Sequence, residues 1–160
     1  MVCGISILTL PQVTFAESKV GDRFGDWIFE CSAIAEAKTA CALTQTIVSQ
    51  KDNRRIVKFS FPHNEKKNIN VITALLPLGI NLSAGISGSI DQGKPFQYQL
   101  KTCIQQGCIV TYDVDSAFLK SLQGAKKINI SFIGINATQP VALSGSLNGL
   151  SDGLKTLKIY

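Results

Sequence analysis

Residues able to do acid–base or metal chemistry are few in this chain. His63 is the single histidine among 160 residues, so neither a two-histidine proton relay nor a histidine-based metal cage can be built. It lies in a Pro-His-Asn-Glu-Lys stretch that is typical of a solvated turn. Asp113 and Asp115 are close enough in sequence to suggest paired carboxylates, but helix capping by Asp115 is the simpler interpretation. We therefore predict no catalytic residue, no metal site and no cofactor.

Serine and threonine are plentiful, yet they do not form a recognisable nucleophilic site. No Gly-x-Ser-x-Gly elbow occurs, because the segment Gly85-Ile86-Ser87-Gly88 has the wrong spacing. An enzyme whose site the sequence hides stays open as an alternative to a binding protein.

Four of the five cysteines form two closely spaced pairs, Cys31 with Cys41 and Cys103 with Cys108. These separations do not match the Cys-x-x-Cys knuckles of zinc sites. Each pair instead fits a disulfide, the first across a longer polar loop and the second across a tight hairpin that contains Gly107. Free thiols in a cytosolic protein and a metal site are the alternatives. Disulfides would indicate an exported protein.

Residues 1–16 resemble the later part of a secretory signal peptide. They contain no charged side chain, carry an apolar run from Ile5 to Leu10, and end at Ala16 before Glu17. The basic segment that begins such peptides is missing, which indicates a truncated sequence or a start assigned too far downstream; an apolar first strand is the alternative. A bilayer-spanning helix needs about 20 apolar residues. We predict one domain over residues 17–160 and no transmembrane segment.

Alternating apolar and polar residues indicate the elements that position these groups. The alternating apolar positions are Trp27, Phe29 and Cys31; Val57, Phe59 and Phe61; Phe96, Tyr98 and Leu100; Ile128, Ile130 and Phe132; and Val141, Leu143 and Leu147. A period of two predicts antiparallel strands with one buried face. Turn residues recur, and the helices that a βαβ architecture needs between its strands are absent, so we predict an all-β sandwich of about seven to nine strands. Trp27 should be buried near the first disulfide.

Two short helices are predicted beside the sheets. The first spans residues 116–123, begins after Asp115 as N-cap and ends at Gly124. The second follows from leucines at three- and four-residue steps and should cross an open end of the sheets. These leucines are Leu147, Leu150, Leu154 and Leu157.

Positive charge is the remaining indication of a partner. The chain has 16 Lys and Arg against 11 Asp and Glu, a net charge of +5. Such a surface accelerates encounter with lipopolysaccharide, acidic glycans or sialylated host surfaces. Three basic doublets could form the binding site: Arg54-Arg55, Lys66-Lys67 and Lys126-Lys127. The alternative is that these lysines only protect strand edges from aggregation. Nucleic acid is not predicted, because no aromatic residues interleave with the doublets.

Five blocks of residues, in order, resemble the invasion-associated locus B family of Gram-negative bacteria. They are Phe24-Gly25-Asp26-Trp27 followed by Cys31; Cys41 with Gln45; Leu76-Pro77-Leu78-Gly79-Ile80; Asp91-Gln92-Gly93 with Cys103 and Gly107-Cys108; and Leu143-Ser144-Gly145-Ser146-Leu147 with Gly149-Leu150. The resemblance covers essentially all of residues 17–160. It implies an exported, immunoglobulin-like β-sandwich of the periplasm or cell surface, with its four cysteines as structural disulfides. One family member is implicated in the entry of a pathogen into erythrocytes.

The family name records a phenotype and defines no catalytic residue. The resemblance therefore implies a non-enzymatic accessory protein of the envelope that binds a surface partner and aids host-cell invasion. A periplasmic enzyme with an unrecognised site, or a chaperone that offers a sheet edge to client strands, are the alternatives.

Overall fold

The structure is a computed structural model that describes residues 19–35, 38–63 and 71–156. Antiparallel strands make up most of it. The predicted signal peptide, Lys66, Lys67 and Leu157 lie outside these residues. The strands are β1 (Arg23–Phe24), β2 (Trp27–Ala35), β3 (Lys38–Val48), β4 (Arg55–His63), β5 (Val71–Leu76), β6 (Ser87–Ile90), β7 (Phe96–Gln97), β8 (Gln99–Ile104), β9 (Gly107–Asp113), β10 (Lys127–Ile133) and β11 (Pro140–Ser146). The helices are α1 (Ser116–Leu122), α2 (Leu150–Thr156) and a 3-10 turn, Leu82–Ala84.

The strands form two antiparallel sheets. The larger sheet has the order β1-β2-β3-β4-β5-β9-β8, and the smaller has the order β11-β10-β6-β7. Nine of the described strands have four or more residues, so the predicted all-β sandwich with two short helices is confirmed. Its layers are immunoglobulin-like, whereas β2 to β5 follow one another as a meander instead of a Greek key.

Period-two alternation places the core between the sheets, as predicted. The larger sheet contributes Val57, Phe59 and Phe61, and the smaller sheet contributes Ile128 and Ile130, all with no exposed surface. Burial of each such side chain stabilises the fold by about 1.5–3 kcal/mol relative to exposure.

Both predicted helices are present, although the second begins at Leu150 and does not include Leu147. Asp115 caps α1, since its Oδ1 accepts a hydrogen bond of 2.7 Å from the backbone N–H of Phe118. In α2, Leu150 and Leu154 are buried. Gly153 of α2 packs so tightly on β3 that a Cβ there would lie 2.8 Å from Leu43 Cδ1. The apolar face of the second helix therefore packs on the core of the sandwich.

Three predicted details are wrong. Val141 is 40% exposed, because the predicted buried face of the last strand does not extend to the beginning of β11. Leu100 does not continue the inward face of Phe96 and Tyr98, because the chain passes from the smaller to the larger sheet at Tyr98, and Leu100 is 42% exposed. The segment between Cys31 and Cys41 is not a polar loop, since β2 continues to Ala35 and β3 begins at Lys38.

Three residues, Trp27, Gln45 and Ser146, form an inter-sheet clamp. Gln45 Nε2 donates to the carbonyl oxygens of Ser146 (3.0 Å) and Asp26 (3.2 Å), while its Oε1 accepts from Ser146 N (2.7 Å). Trp27 Nε1 donates to the same Ser146 carbonyl at 2.9 Å. Because β2 and β3 belong to the larger sheet and β11 to the smaller, these bonds fix the two sheets against each other.

Trp27 is fully buried, as the alternation predicts. Its ring meets Phe61 edge-on at a centroid distance of 5.4 Å. Four residues of extended chain, about 13 Å, separate it from Cys31. Phe61 is thus the observed ring partner of Trp27, and proximity to the disulfide stays a prediction.

Candidate functional site

Both predicted disulfides are present, Cys31–Cys41 and Cys103–Cys108. Each joins residues directly opposite each other on neighbouring antiparallel strands. Gly107, beside the second disulfide, has a φ of +143°, and a Cβ there would lie 2.1 Å from the carbonyl oxygen of Leu76. The hairpin therefore requires glycine at this position. These four cysteines are structural, and none of them has a free thiol.

The doublet Arg54-Arg55 is engaged by its own surroundings. Arg54 forms an ion pair with Asp52 in the β3–β4 loop. Arg55 Nη2 donates to the carbonyl oxygen of Gln106 at 2.8 Å, which ties the start of β4 to the β8–β9 turn. These arginines thus have structural contacts in addition to their charge.

The doublet Lys126-Lys127 differs, because its backbone is held while its side chains are free. The Asp91 carboxylate accepts hydrogen bonds from the backbone N–H groups of Lys126 (3.1 Å) and Lys127 (2.8 Å). Neither ammonium group has a hydrogen bond or ion pair with any residue that the structure describes. The structure does not bring the two described doublets together. Arg55 contacts Gln106 beside the start of β9, whereas the Lys126 backbone is bonded to Asp91, which lies near Tyr112 at the other end of β9.

A cleft of about 430 Å³ adjoins this doublet: Ala125, which precedes Lys126, and Asp91, which bonds its backbone, both belong to the lining, whereas Lys126 and Lys127 do not. Its floor consists of three half-buried rings from three different elements: Phe96 of β7, Tyr112 of β9 and Phe118 of α1. The ring centroids of Phe96 and Tyr112 are 4.1 Å apart, and those of Tyr112 and Phe118 are 4.9 Å apart. Lys94 also lines the cleft. The cleft therefore combines aromatic faces with positive charge.

Carboxylates do not converge in this cleft. Asp91 is the single acid of its lining, and its oxygens are already used by the backbone of Lys126 and Lys127. Asp115 is engaged as the cap of α1, and Asp113 is exposed at the end of β9. The arrangement suits binding of a ligand better than general acid–base catalysis.

Tyr98 lies behind the cleft floor, with its ring centroid 5.3 Å from that of Phe96. Burial raises the pKa of its hydroxyl. That hydroxyl has no hydrogen-bond partner in the described part of the chain, and the same is true of Thr111 Oγ1. Tyr98 thus supports the floor by packing alone.

The free edge of β8 is the feature that the chaperone alternative needs. All six residues of β8 are exposed. Lys101, however, lies at a shift in the β8–β9 register, between the paired residues Leu100 and Thr102. A lysine and a bulge on an edge strand are the usual means of preventing strand addition.

Other site types have no support in the described residues. Within residues 19–35, 38–63 and 71–156, no group of three or more His, Cys, Asp or Glu side chains could hold a metal ion. In the same ranges, no helix is both long and apolar enough to cross a membrane.

The sequence did not reveal the cleft. Its three aromatic rings come from positions 96, 112 and 118, which form no linear motif. The available signal was the doublet Lys126-Lys127, which follows Ala125 of the cleft lining but is not itself part of that lining.

Comparison with known proteins gives one consistent result. Residues 27–158 match the family model described as "Invasion associated locus B (IalB) protein". The chain is 25% identical over 141 residues to an invasion protein B homolog of Brucella abortus (strain 2308), covering 88% of this chain and 80% of the relative. It is 26% identical over 155 residues to invasion protein B of Bartonella bacilliformis, covering 95% of this chain and 80% of the relative.

A solved structure agrees with the sequence relatives. The crystal structure of invasion associated protein b from Bartonella henselae superimposes with a TM-score of 0.70 at 26% identity. The match covers 86% of this chain and 93% of that one.

Proposed function

The chain belongs to the invasion associated locus B family, and from this premise we propose that it is an exported, non-enzymatic accessory protein that binds a surface partner and aids host-cell invasion. Its relatives in Brucella abortus and Bartonella bacilliformis carry the name invasion protein B. Both cysteine pairs are oxidised, which supports the periplasm or cell surface of a Gram-negative bacterium as its location.

The observation that carries the binding role is the cleft beside Lys126. Half-buried aromatic faces and the exposed Lys94 line this cleft, and Lys126, whose ammonium group is unpaired in the described part of the chain, directly follows Ala125 of the lining. Aromatic rings supply apolar contact area at binding sites, and fixed positive charge attracts and orients anions. An acidic glycan has both complementary features, apolar sugar faces and negative groups. We assign the cleft to such a glycan, supplied by the host surface or by lipopolysaccharide.

Charge reversal of each doublet tests this assignment. Binding of the oxidised protein is measured by calorimetry against a sialylated oligosaccharide, its desialylated counterpart, and a lipopolysaccharide core oligosaccharide. K126E/K127E should weaken binding by about tenfold or more, equivalent to about 1.4 kcal/mol. R54E/R55E, at the other end of β9, serves as the control and should change binding by less than about twofold. K66E/K67E, whose residues lie outside the described ranges, completes the comparison of the three doublets. Binding should also weaken as salt rises, because exposed charges are screened beyond about 8–10 Å.

The aromatic floor has its own matched pair of variants. F118A removes a ring that faces the cleft, whereas L119A truncates the next residue of α1, which does not line it. Loss of glycan binding in F118A but not in L119A supports the assignment. Equal, small losses in all three doublet variants would contradict it and would indicate that the positive charge is only part of a solvated surface. Preference for the sialylated or the lipopolysaccharide glycan identifies the source of the ligand.

A further inference from the structure

We propose that one end of the sandwich, away from the cleft, attaches the protein to an anionic lipid bilayer. Five of the eight exposed large apolar side chains belong to this apolar end: Val48, Leu78, Leu82, Ile104 and Ile135. The inference rests on the proposed export, which brings the chain to the membranes of the envelope or host, but it concerns a different surface and a different ligand.

Antiparallel pairing places these segments at one end of the larger sheet. β3 ends where β4 begins, and β5, which pairs antiparallel with β4, ends at the same side. β9 pairs antiparallel with β5, so the β8–β9 turn lies there as well. Val48, Leu78 and Ile104 therefore lie at the same end of the larger sheet, spread across its strands from β3 to β8, although they are far apart in sequence.

Hydrogen bonds hold the loops of the apolar end together. Ile135 N donates to the carbonyl oxygen of Gly79 at 2.8 Å, and Asn81 N donates to that of Ile133 at 2.7 Å. The three side chains on these two joined loops are strongly exposed: Leu78 at 56%, Leu82 at 43% and Ile135 at 67%. They are thus presented on fixed backbone.

The charge distribution of this end fits a bilayer boundary. Segments 77–84, 104–107 and 134–139 contain no charged residue. The adjoining β3–β4 loop and the start of β4 carry Lys51, Arg54 and Arg55 against the single acid Asp52. Apolar side chains enter the region between headgroups and acyl chains, and neighbouring cations meet anionic headgroups. Charge complementarity therefore favours an anionic membrane as the occupant.

Vesicle sedimentation with the oxidised protein tests this inference. The probes are vesicles of phosphatidylcholine alone and vesicles of phosphatidylcholine with phosphatidylglycerol. L82S and L100S form a matched pair, because Leu82 and Leu100 are 43% and 42% exposed but only Leu82 lies at the apolar end. We expect binding to the mixed vesicles that L82S weakens severalfold and I135S by about tenfold or more, while L100S binds as the wild type does. K51E should reduce binding to the mixed vesicles, since Lys51 is exposed.

The possible results separate this inference from the proposed glycan site. Glycan binding is measured on the same variants, and I135S should retain it, whereas K126E/K127E should retain vesicle binding. The melting temperature of each variant should match that of the wild type, since the altered side chains are exposed. Absence of vesicle binding, or equal effects of L82S and L100S, overturns the inference even if the glycan binds. Dimerisation that I135S abolishes, without any vesicle binding, would assign the apolar end to a second copy instead.

Discussion

Replacement of Gln45 by leucine removes three hydrogen bonds of the inter-sheet clamp while it leaves a side chain of similar size in the same buried place. The Ser146 carbonyl keeps Trp27 Nε1 as its donor, and the Asp26 carbonyl belongs to an exposed residue that water can reach. The N–H of Ser146 loses its Gln45 acceptor. An orphaned group of this kind costs about 1–3 kcal/mol. At about 3 °C per kcal/mol for a domain of this size, the melting temperature should fall by roughly 3–9 °C.

Gln45→Glu adds a prediction about how stability depends on pH. The carboxyl would occupy a site that is 93% buried and would face two carbonyl oxygens in place of the amide that donated to them. Both effects favour the protonated form and outweigh the Ser146 N–H, which donates to one carboxyl oxygen and favours the ionised form. The folded-state pKa therefore lies above the unfolded value of about 4.3. The folded state then binds the proton more tightly, and the loss of stability is greatest at neutral pH. The loss shrinks as pH falls toward the unfolded pKa.

Urea unfolding followed by the fluorescence of Trp27 measures both effects. The free energy of unfolding is compared with that of the wild type at neutral and mildly acidic pH. Gln45→Leu should show a pH-independent difference from the wild type, while the difference for Gln45→Glu should diminish on acidification. Gln92→Leu, in an exposed turn, is the control and should stay within about 0.5 kcal/mol of the wild type. A Gln45→Leu variant as stable as the wild type would refute the clamp.

Two further predictions concern the two disulfides and the Tyr98 hydroxyl. Non-reducing peptide mapping should recover Cys31 with Cys41 and Cys103 with Cys108, and recovery of crossed pairs would contradict this. Reduction should lower the melting temperature without abolishing the fold, because each disulfide contributes about 2–3 kcal/mol to a chain that has its own core. Tyr98→Phe should leave the stability unchanged or raise it by about 1–3 kcal/mol in urea unfolding, because it removes a buried hydroxyl that lacks a partner; a clear loss of stability would show that the hydroxyl is satisfied in solution.

Features that depend on neighbouring residues could be predicted from the sequence. Alternation along β4 gives the burial of Val57, Phe59 and Phe61, because side chains in a strand point to opposite faces in turn. The cap of α1 depends on Asp115 and a backbone N–H only three residues later. Both cysteine pairs were predictable for the same reason, since each closes one hairpin.

Features that depend on which sheet a segment joins could not be predicted. The alternation of Phe96, Tyr98 and Leu100 runs unbroken through the point where the chain changes sheets, so the pattern carries no mark of the change. The Gln45 contacts with Ser146 join residues 101 positions apart. The cleft likewise requires rings from three elements to meet, and the positions of those elements are set by the whole sandwich rather than by any segment.

The contacts that hold the fold lie mainly in strands, while the two proposed binding surfaces draw largely on turns, loops and one short helix. The clamp belongs to β2, β3 and β11, and both disulfides join paired strands. Substitution in segments 77–84 and 134–139 therefore leaves these contacts intact, which allows the loops to diverge while the sandwich persists. The Bartonella henselae structure shows such persistence, with a TM-score of 0.70 at 26% identity. It follows that a partner found for one relative should be assigned to another only when the residues of the cleft or of the apolar end agree, because the shared fold alone does not specify a ligand.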